Sequence, residues 1–118
     1  PDHCIQNEIG SEFPKLLNSS KINKIIYKGS DRNIDSYSGF YDNDKKLSTE
    51  LSDYLKSKKV EKVDCVGLAT EYCVKFTAID SIREGFYTRV ISKCTKGLID
   101  KDIKNSLDEM RSLGIIII

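Results

Sequence analysis

Short apolar runs alternate with amphipathic helical segments along this chain, and this alternation constrains the fold most. The runs at 24–28, 60–68, 86–92 and 115–118 lack strict polar/apolar alternation, which is typical of parallel strands covered on both faces. Strand–helix–strand order with short links predicts an α/β fold with a parallel sheet and right-handed crossovers. A length of 118 residues fits a single domain with a modest core.

Three segments between the apolar runs have helical periodicity. Leucines at every fourth position from 47 to 55 predict the first helix, with Ser48 as its N-cap. The second helix is predicted over 70–84, with Thr70 as its N-cap, and the third over 100–113. A glycine directly follows each of the last two segments, and glycine is the preferred residue just after a helix C-terminus.

Cys73 is predicted to lie in the first turn of the second helix, at the carboxyl end of a strand. Free N–H groups and the positive end of the helix dipole stabilise an anion there, which favours the thiolate. The same amides can hold an oxyanion while the sulfur attacks a carbonyl carbon. Cys73 is therefore a candidate nucleophile. The alternative is a buried thiol that packs as a small apolar side chain, and Glu71 would oppose thiolate formation if its carboxylate lay close.

Lys28 ends the first predicted strand and is followed by a polar, turn-rich connection at 29–46. Ligands of open α/β sheets bind beyond the carboxyl ends of the strands. The connection and the turn at 69–73 are both predicted to lie at that edge. Long loops in such places often carry function, so Lys28 and Cys73 are expected to face one crevice.

Composition narrows the classes of partner. A formal net charge of +1 with 31% charged residues favours neither nucleic acid nor a membrane as partner. The longest apolar run, 115–118, is too short to cross a bilayer. Four cysteines without the dense spacing of a secreted scaffold predict reduced thiols in a cytoplasmic protein, with Cys65 and Cys94 packed in the interior. The first residues, Pro-Asp-His, predict that the chain is a fragment of a longer protein.

Three groups of residues carry a resemblance to a known family. They are Pro-Asp-His-Cys-Ile-Gln at 1–6, Tyr-Lys-Gly at 27–29 with Asp-Ser-Tyr-Ser-Gly-Phe at 35–40, and Gly-Leu-Ala-Thr-Glu-Tyr-Cys-Val at 67–74. In this order they resemble the nicotinamidase/pyrazinamidase branch of the isochorismatase-like cysteine hydrolases. The last group is the most specific, and the resemblance extends over essentially the whole chain.

The resemblance implies a three-layer, doubly wound, mainly parallel sheet, present here as one domain over 1–118 without its N-terminal strands. It implies that Cys73 is the nucleophile and Lys28 the lysine of an Asp–Lys–Cys triad. The backbone amides of Ala69 and Cys73 would form the oxyanion hole, with a cis peptide bond between Leu68 and Ala69. Leu68 and Tyr37 would contact the substrate, although Tyr37 is equally consistent with a loop tyrosine that packs on the sheet.

The resemblance also implies a divalent metal, with zinc the best candidate and iron or manganese as alternatives, and His3 as one of its ligands. The triad aspartate and the remaining ligands would precede residue 1. The expected location is the cytoplasm, and in a eukaryote the protein would also be expected in the nucleus or in peroxisomes. Whether copies assemble into a homo-oligomer is left open by the sequence.

The activity implied is hydrolysis of nicotinamide to nicotinate and ammonia through a cysteine thioester, with residues 1–118 alone inactive. Two alternatives stay open. One is another amide or ureide hydrolase of the same superfamily, and the other is a non-catalytic α/β binding or scaffold domain. A thiol redox switch is disfavoured, because no second cysteine lies at short spacing from Cys73.

Overall fold

Parallel strands joined by helices form the centre of the molecule, as a computed structural model of residues 2–118 shows. Before them, residues 2–50 contain two short 3₁₀ turns, Ile9–Ser11 and Ser19–Lys21, and an isolated antiparallel bridge between Tyr41 and Ser48. The main elements follow in chain order: helix α1 (Leu51–Ser57), strand β1 (Lys62–Leu68), a π-helical turn (Thr70–Val74), helix α2 (Lys75–Arg83), strand β2 (Tyr87–Lys96), helix α3 (Asp100–Ser112) and strand β3 (Ile116–Ile117).

The sheet has the order β1-β2-β3, and both pairs of neighbouring strands are parallel. The chain passes from β1 to β2 through α2 and from β2 to β3 through α3. The predicted α/β class with a parallel sheet is therefore confirmed. The β1–β2 register is regular from Lys62 to Cys65 and shifts before Gly67, whose φ of +108° lies in the region that favours glycine.

One apolar core lies between the sheet and the helices. Val90 of β2 and Met110 of α3 are fully buried, and Ala78 of α2 contacts the same cluster. The remaining core residues come from β1, the π-helical turn, α2 and the residue before β3: Cys65, Val74, Ile79 and Ile115. Packing of this cluster holds β1 and the turn that follows it against α2.

Two predicted helix starts are wrong. The first helix begins at Leu51, and the Leu51 N–H donates to the hydroxyl of Thr49 at 3.1 Å rather than to Ser48. Thr70 is not an N-cap, because the residue before the turn is Ala69. The Ala69 carbonyl accepts two N–H bonds inside the turn, while the Thr70 hydroxyl is buried with no hydrogen-bond partner among residues 2–118.

The predicted strand at 24–28 is also wrong. These residues have no strand conformation, and among residues 2–118 no β-ladder includes them. A strand needs a neighbour with which to share its backbone hydrogen bonds, and an apolar pattern alone does not supply one. The segment is tied instead by side chains, including an ion pair of 3.2 Å between Lys24 and Glu50.

Two cysteines predicted to lie in the interior differ in their exposure. The prediction that Cys94 packs in the interior is wrong, because Cys94 is exposed on β2. It lies between Lys93 and Thr95, beyond the predicted apolar run at 86–92, so its sequence neighbours do not support burial. Cys65 is buried as predicted. None of the helices within residues 2–118 is long and apolar enough to span a membrane.

Candidate active site

Cys73 lies where β1 passes into a helix. β1 ends at Leu68, the Leu68–Ala69 peptide bond is cis as the resemblance implies, and the π-helical turn begins at Thr70. The Cys73 side chain is half-buried, unlike the fully packed thiol of Cys65. Burial, and to a smaller extent the charge of Asp64, raises the pKa of Cys65 to about 12, which makes that thiol inert. The packing alternative therefore describes Cys65, and the nucleophilic role of Cys73 stays a prediction.

Lys28 reaches Cys73 from the other side of the site. Its Nζ lies 3.5 Å from the Cys73 Sγ and also donates to the backbone carbonyl of Ser36. The two predicted residues are 45 positions apart in the chain, and the fold brings them into contact. An ammonium group beside a sulfur stabilises negative charge on it, which is the electrostatic support a thiolate nucleophile needs.

The loop that contains Ser36 is docked on α2. The Gly39 N–H donates to the Thr77 hydroxyl at 2.9 Å, and Lys45 pairs with the buried carboxylate of Asp80 at 2.5 Å. Phe40 is buried from the same loop, with its ring centroid 6.2 Å from that of Phe86. The loop therefore has a fixed position relative to the helix that follows Cys73.

Glu84 adds a further anchor that sequence reasoning missed. Its carboxylate accepts hydrogen bonds from Lys56 at 2.8 Å, from Ser52 at 2.5 Å and from the Tyr41 hydroxyl. These three donors, in that order of importance, lower the pKa of Glu84 to about 2. The sequence signal for this anchor was the position of Glu84 at the C-terminus of the second predicted helix. The helix dipole disfavours a carboxylate there unless hydrogen-bond donors compensate.

The Glu71 carboxylate is bound by the connection between β2 and α3. Its side chain is buried, and one carboxylate oxygen accepts the N–H groups of Leu98 (2.7 Å) and Ile99 (3.3 Å) in the β2–α3 connection. Burial raises its pKa, but these N–H groups and its own outweigh burial and lower it. A Cβ at Gly97 would lie 2.1 Å from the other oxygen, which explains glycine there. Glu71 thus ties the turn to the start of α3.

The two predicted substrate contacts lie in different surroundings. Leu68 is exposed and lines an open depression together with Cys73, Val74 and Thr77. Tyr37 lies outside the lining of that depression, and its ring stacks on Phe76 with centroids 5.5 Å apart. Tyr37 therefore packs on a helix and not on the sheet, while its role in substrate binding stays a prediction.

His3, the predicted metal ligand, is exposed near the start of the described chain. Across residues 2–118, no group of three or more His, Cys, Asp or Glu side chains is arranged to hold a metal ion. The described residues therefore do not fit a metal site by themselves. The assignment of His3 stays a prediction.

The sequence matches the isochorismatase domain family over residues 31–118, which is most of the chain. The chain belongs to the isochorismatase family. It is 36% identical over 116 residues to the nicotinamidase of Escherichia coli, an alignment that covers 97% of this chain and 54% of that protein. The chain thus spans about half the length of the curated relatives it matches.

Solved structures of isochorismatase-type hydrolases agree with this assignment. A nicotinamidase/pyrazinamidase of Acinetobacter baumanii superimposes with a TM-score of 0.95 at 38% identity, covering 100% of this chain and 57% of that one. A pyrazinamidase of Pyrococcus horikoshii, solved in complex with zinc, gives a TM-score of 0.88 at 36% identity, with coverage of 100% and 62%. The positions of β1–β3 and the helices therefore belong to an established hydrolase fold.

Proposed function

We propose that this chain is part of an amidohydrolase that converts nicotinamide to nicotinate and ammonia through a thioester on Cys73. The observation that carries the proposal is the 3.5 Å contact between Lys28 Nζ and Cys73 Sγ at the carboxyl end of β1. The names of relatives at 36–37% identity, two nicotinamidases and a nicotinamidase/pyrazinamidase, support the substrate class. Both substrates carry a carboxamide on an aromatic ring, and a thiolate is a suitable nucleophile for its carbonyl carbon.

The first chemical step is attack of the Cys73 sulfur on the carboxamide carbon, with the thiol proton passing to a general base. Within residues 2–118, no carboxylate hydrogen bonds to Lys28 or Cys73. The proposed base is the triad aspartate that the resemblance implies, which would precede residue 1. Lys28 stabilises the negative charge that develops on the sulfur and on the tetrahedral intermediate.

Collapse of the tetrahedral intermediate breaks the carbon–nitrogen bond. The base returns its proton to the leaving nitrogen, so that ammonia departs and a nicotinoyl thioester remains on Cys73. Attack of water on the thioester then releases nicotinate and restores the thiol. The amides of Ala69 and Cys73 are proposed to hold the oxyanion in both steps, and Leu68 and Tyr37 to contact the pyridine ring.

A metal is proposed for the whole protein but enters none of these steps. The related pyrazinamidase of Pyrococcus horikoshii binds zinc, which supports a divalent metal here. His3 would be one ligand, since a neutral imidazole suits zinc, iron or manganese, and the other ligands would lie outside residues 2–118. We further propose that residues 1–118 are one incomplete isochorismatase domain, because the matched relatives are nearly twice as long. A cytoplasmic location is proposed from the cysteine spacing, which is not that of a disulfide-bonded secreted scaffold.

The proposal is tested by ammonia release from nicotinamide. We expect Cys73→Ala in the complete protein to lower kcat by a factor of about 10³ or more, because the nucleophile is lost. Cys94→Ala is the matched control, since it removes an exposed thiol of the same sheet region and should leave kcat unchanged. Residues 1–118 expressed alone should release no ammonia. Substantial turnover by Cys73→Ala would contradict the nucleophile assignment.

A further inference from the structure

The position of the Lys28 ammonium group depends on a backbone carbonyl. Lys28 is exposed, and a lysine side chain on a surface samples many rotamers unless a second contact restricts it. The Ser36 carbonyl supplies that contact, because the same Nζ that faces Cys73 donates to it. Whatever fixes the Ser36 carbonyl therefore fixes the distance from the ammonium group to the sulfur.

Asn43 holds the chain on both sides of Ser36. Its side-chain oxygen accepts the Tyr37 N–H at 3.0 Å, and its own backbone N–H donates to the Asp35 carbonyl at 2.8 Å. The two peptide groups that flank Ser36 are thus bonded to one residue. The Ser36 hydroxyl adds a weaker contact to the Tyr41 carbonyl at 3.2 Å.

Asn43 is itself anchored, because the segment around it is docked on α2. Tyr41 donates to Glu84, the C-cap residue of α2, and Lys45 pairs with Asp80 of α2 at 2.5 Å. Residues on either side of Asn43 are therefore bound to one helix and its C-cap. The same helix follows the turn that contains Cys73. A continuous set of contacts therefore runs from α2 through Asn43 to the Ser36 carbonyl and on to Lys28.

We propose that Asn43 is a positioning residue that holds the Lys28 ammonium group beside Cys73. The proposal rests on the function proposed above, in which Lys28 supports the charge on the sulfur. Asn43 is exposed and contributes no apolar surface to the core, so a purely structural role would be small. Its side chain would matter instead for the reactivity of Cys73.

Asn43→Ala is the informative change, because it deletes the acceptor for the Tyr37 N–H but keeps the backbone bond to Asp35. We expect kcat for nicotinamide to fall about threefold to tenfold, with a smaller change in KM. Alkylation of Cys73 by iodoacetamide at pH 7, followed by peptide mapping, should slow by a similar factor. Asn43→Asp retains the acceptor and should stay within about twofold of the wild type in both assays.

Asn33→Ala is the matched control, since Asn33 is an exposed asparagine of the same connection whose side-chain amide makes no hydrogen bond within residues 2–118. It should change neither kcat nor alkylation. The buried Cys65 lies in the same tryptic peptide and reports unfolding, because it reacts only if the core opens.

The outcomes separate the two proposals. Failure of the wild-type protein to hydrolyse nicotinamide would defeat the proposed function, while the alkylation rates would still test Asn43. Cys73 alkylation that is equal in the wild type and Asn43→Ala would overturn the positioning role. The same conclusion would follow if Asn43→Asp were as slow as Asn43→Ala, or if only KM changed.

Discussion

Cys73 and Lys28 meet from two parts of the molecule that are stabilised in different ways. Cys73 follows β1 and precedes α2, and the residues around it pack into the apolar core. Lys28 lies in a segment without helix or strand, and the loop that contacts it is docked by hydrogen bonds and ion pairs. The thiol side of the site therefore depends on apolar burial, and the lysine side on polar contacts that respond to pH.

This contrast predicts the larger loss of stability for a change in the packed part. Met110 is fully buried in the core, so Met110→Ala should lower the free energy of unfolding by about 2–5 kcal/mol. The loss arises from a cavity and from lost apolar burial, and it should therefore be the same at pH 7 and pH 4. Urea denaturation measures it, with Leu98→Ala as the control because Leu98 is 78% exposed. A loss as small as that of the control would contradict the assignment of the core.

A smaller, pH-dependent loss is expected for the docked loop. Glu84→Gln removes a carboxylate whose pKa is about 2 in the folded protein and ordinarily 4.5. Because the folded value is the lower one, the carboxylate stabilises the fold fully above pH 4.5, and this contribution disappears as the pH falls towards 2. We expect a loss on the order of 2 kcal/mol at pH 7 that shrinks as the pH approaches 3.

Urea denaturation of wild type and Glu84→Gln across this pH range provides the measurement. Glu61→Gln is the control, because Glu61 is an exposed carboxylate before β1 and should show little effect at any pH. A loss for Glu84→Gln that did not change with pH would show that packing, and not charge, docks the loop.

Much of the packed part could be predicted from the sequence, because its rules are local. Apolar runs gave β1 and β2 to within a few residues at each end, and helical periodicity gave most of α2 and α3. Parallel pairing of the strands followed from the order strand–helix–strand along the chain. The proximity of Lys28 and Cys73 was predicted by placing both at strand ends along one edge of a sheet. The 3.5 Å contact is present, although residues 24–28 form no strand, so only the Cys73 half of that premise is correct.

The loop part could not be predicted, because its contacts join distant residues and leave no periodic pattern. The side chain of Asn43 accepts a hydrogen bond from Tyr37. Glu84 accepts hydrogen bonds from three side chains, those of Tyr41, Ser52 and Lys56. The sequence does not specify these pairs of donor and acceptor, which only the folded structure shows. The apolar run at 24–28 misled for a related reason, since a strand depends on a partner that its own residues do not specify.

The proposed hydrolysis of nicotinamide through a thioester on Cys73 is tested most directly with hydroxylamine. Hydroxylamine attacks thioesters, so turnover in its presence should give nicotinohydroxamate at the expense of nicotinate, with total ammonia release from nicotinamide unchanged. Cys73→Ala should form neither product. Normal production of nicotinate with no hydroxamate at high hydroxylamine, or formation of both products by Cys73→Ala, would contradict the account.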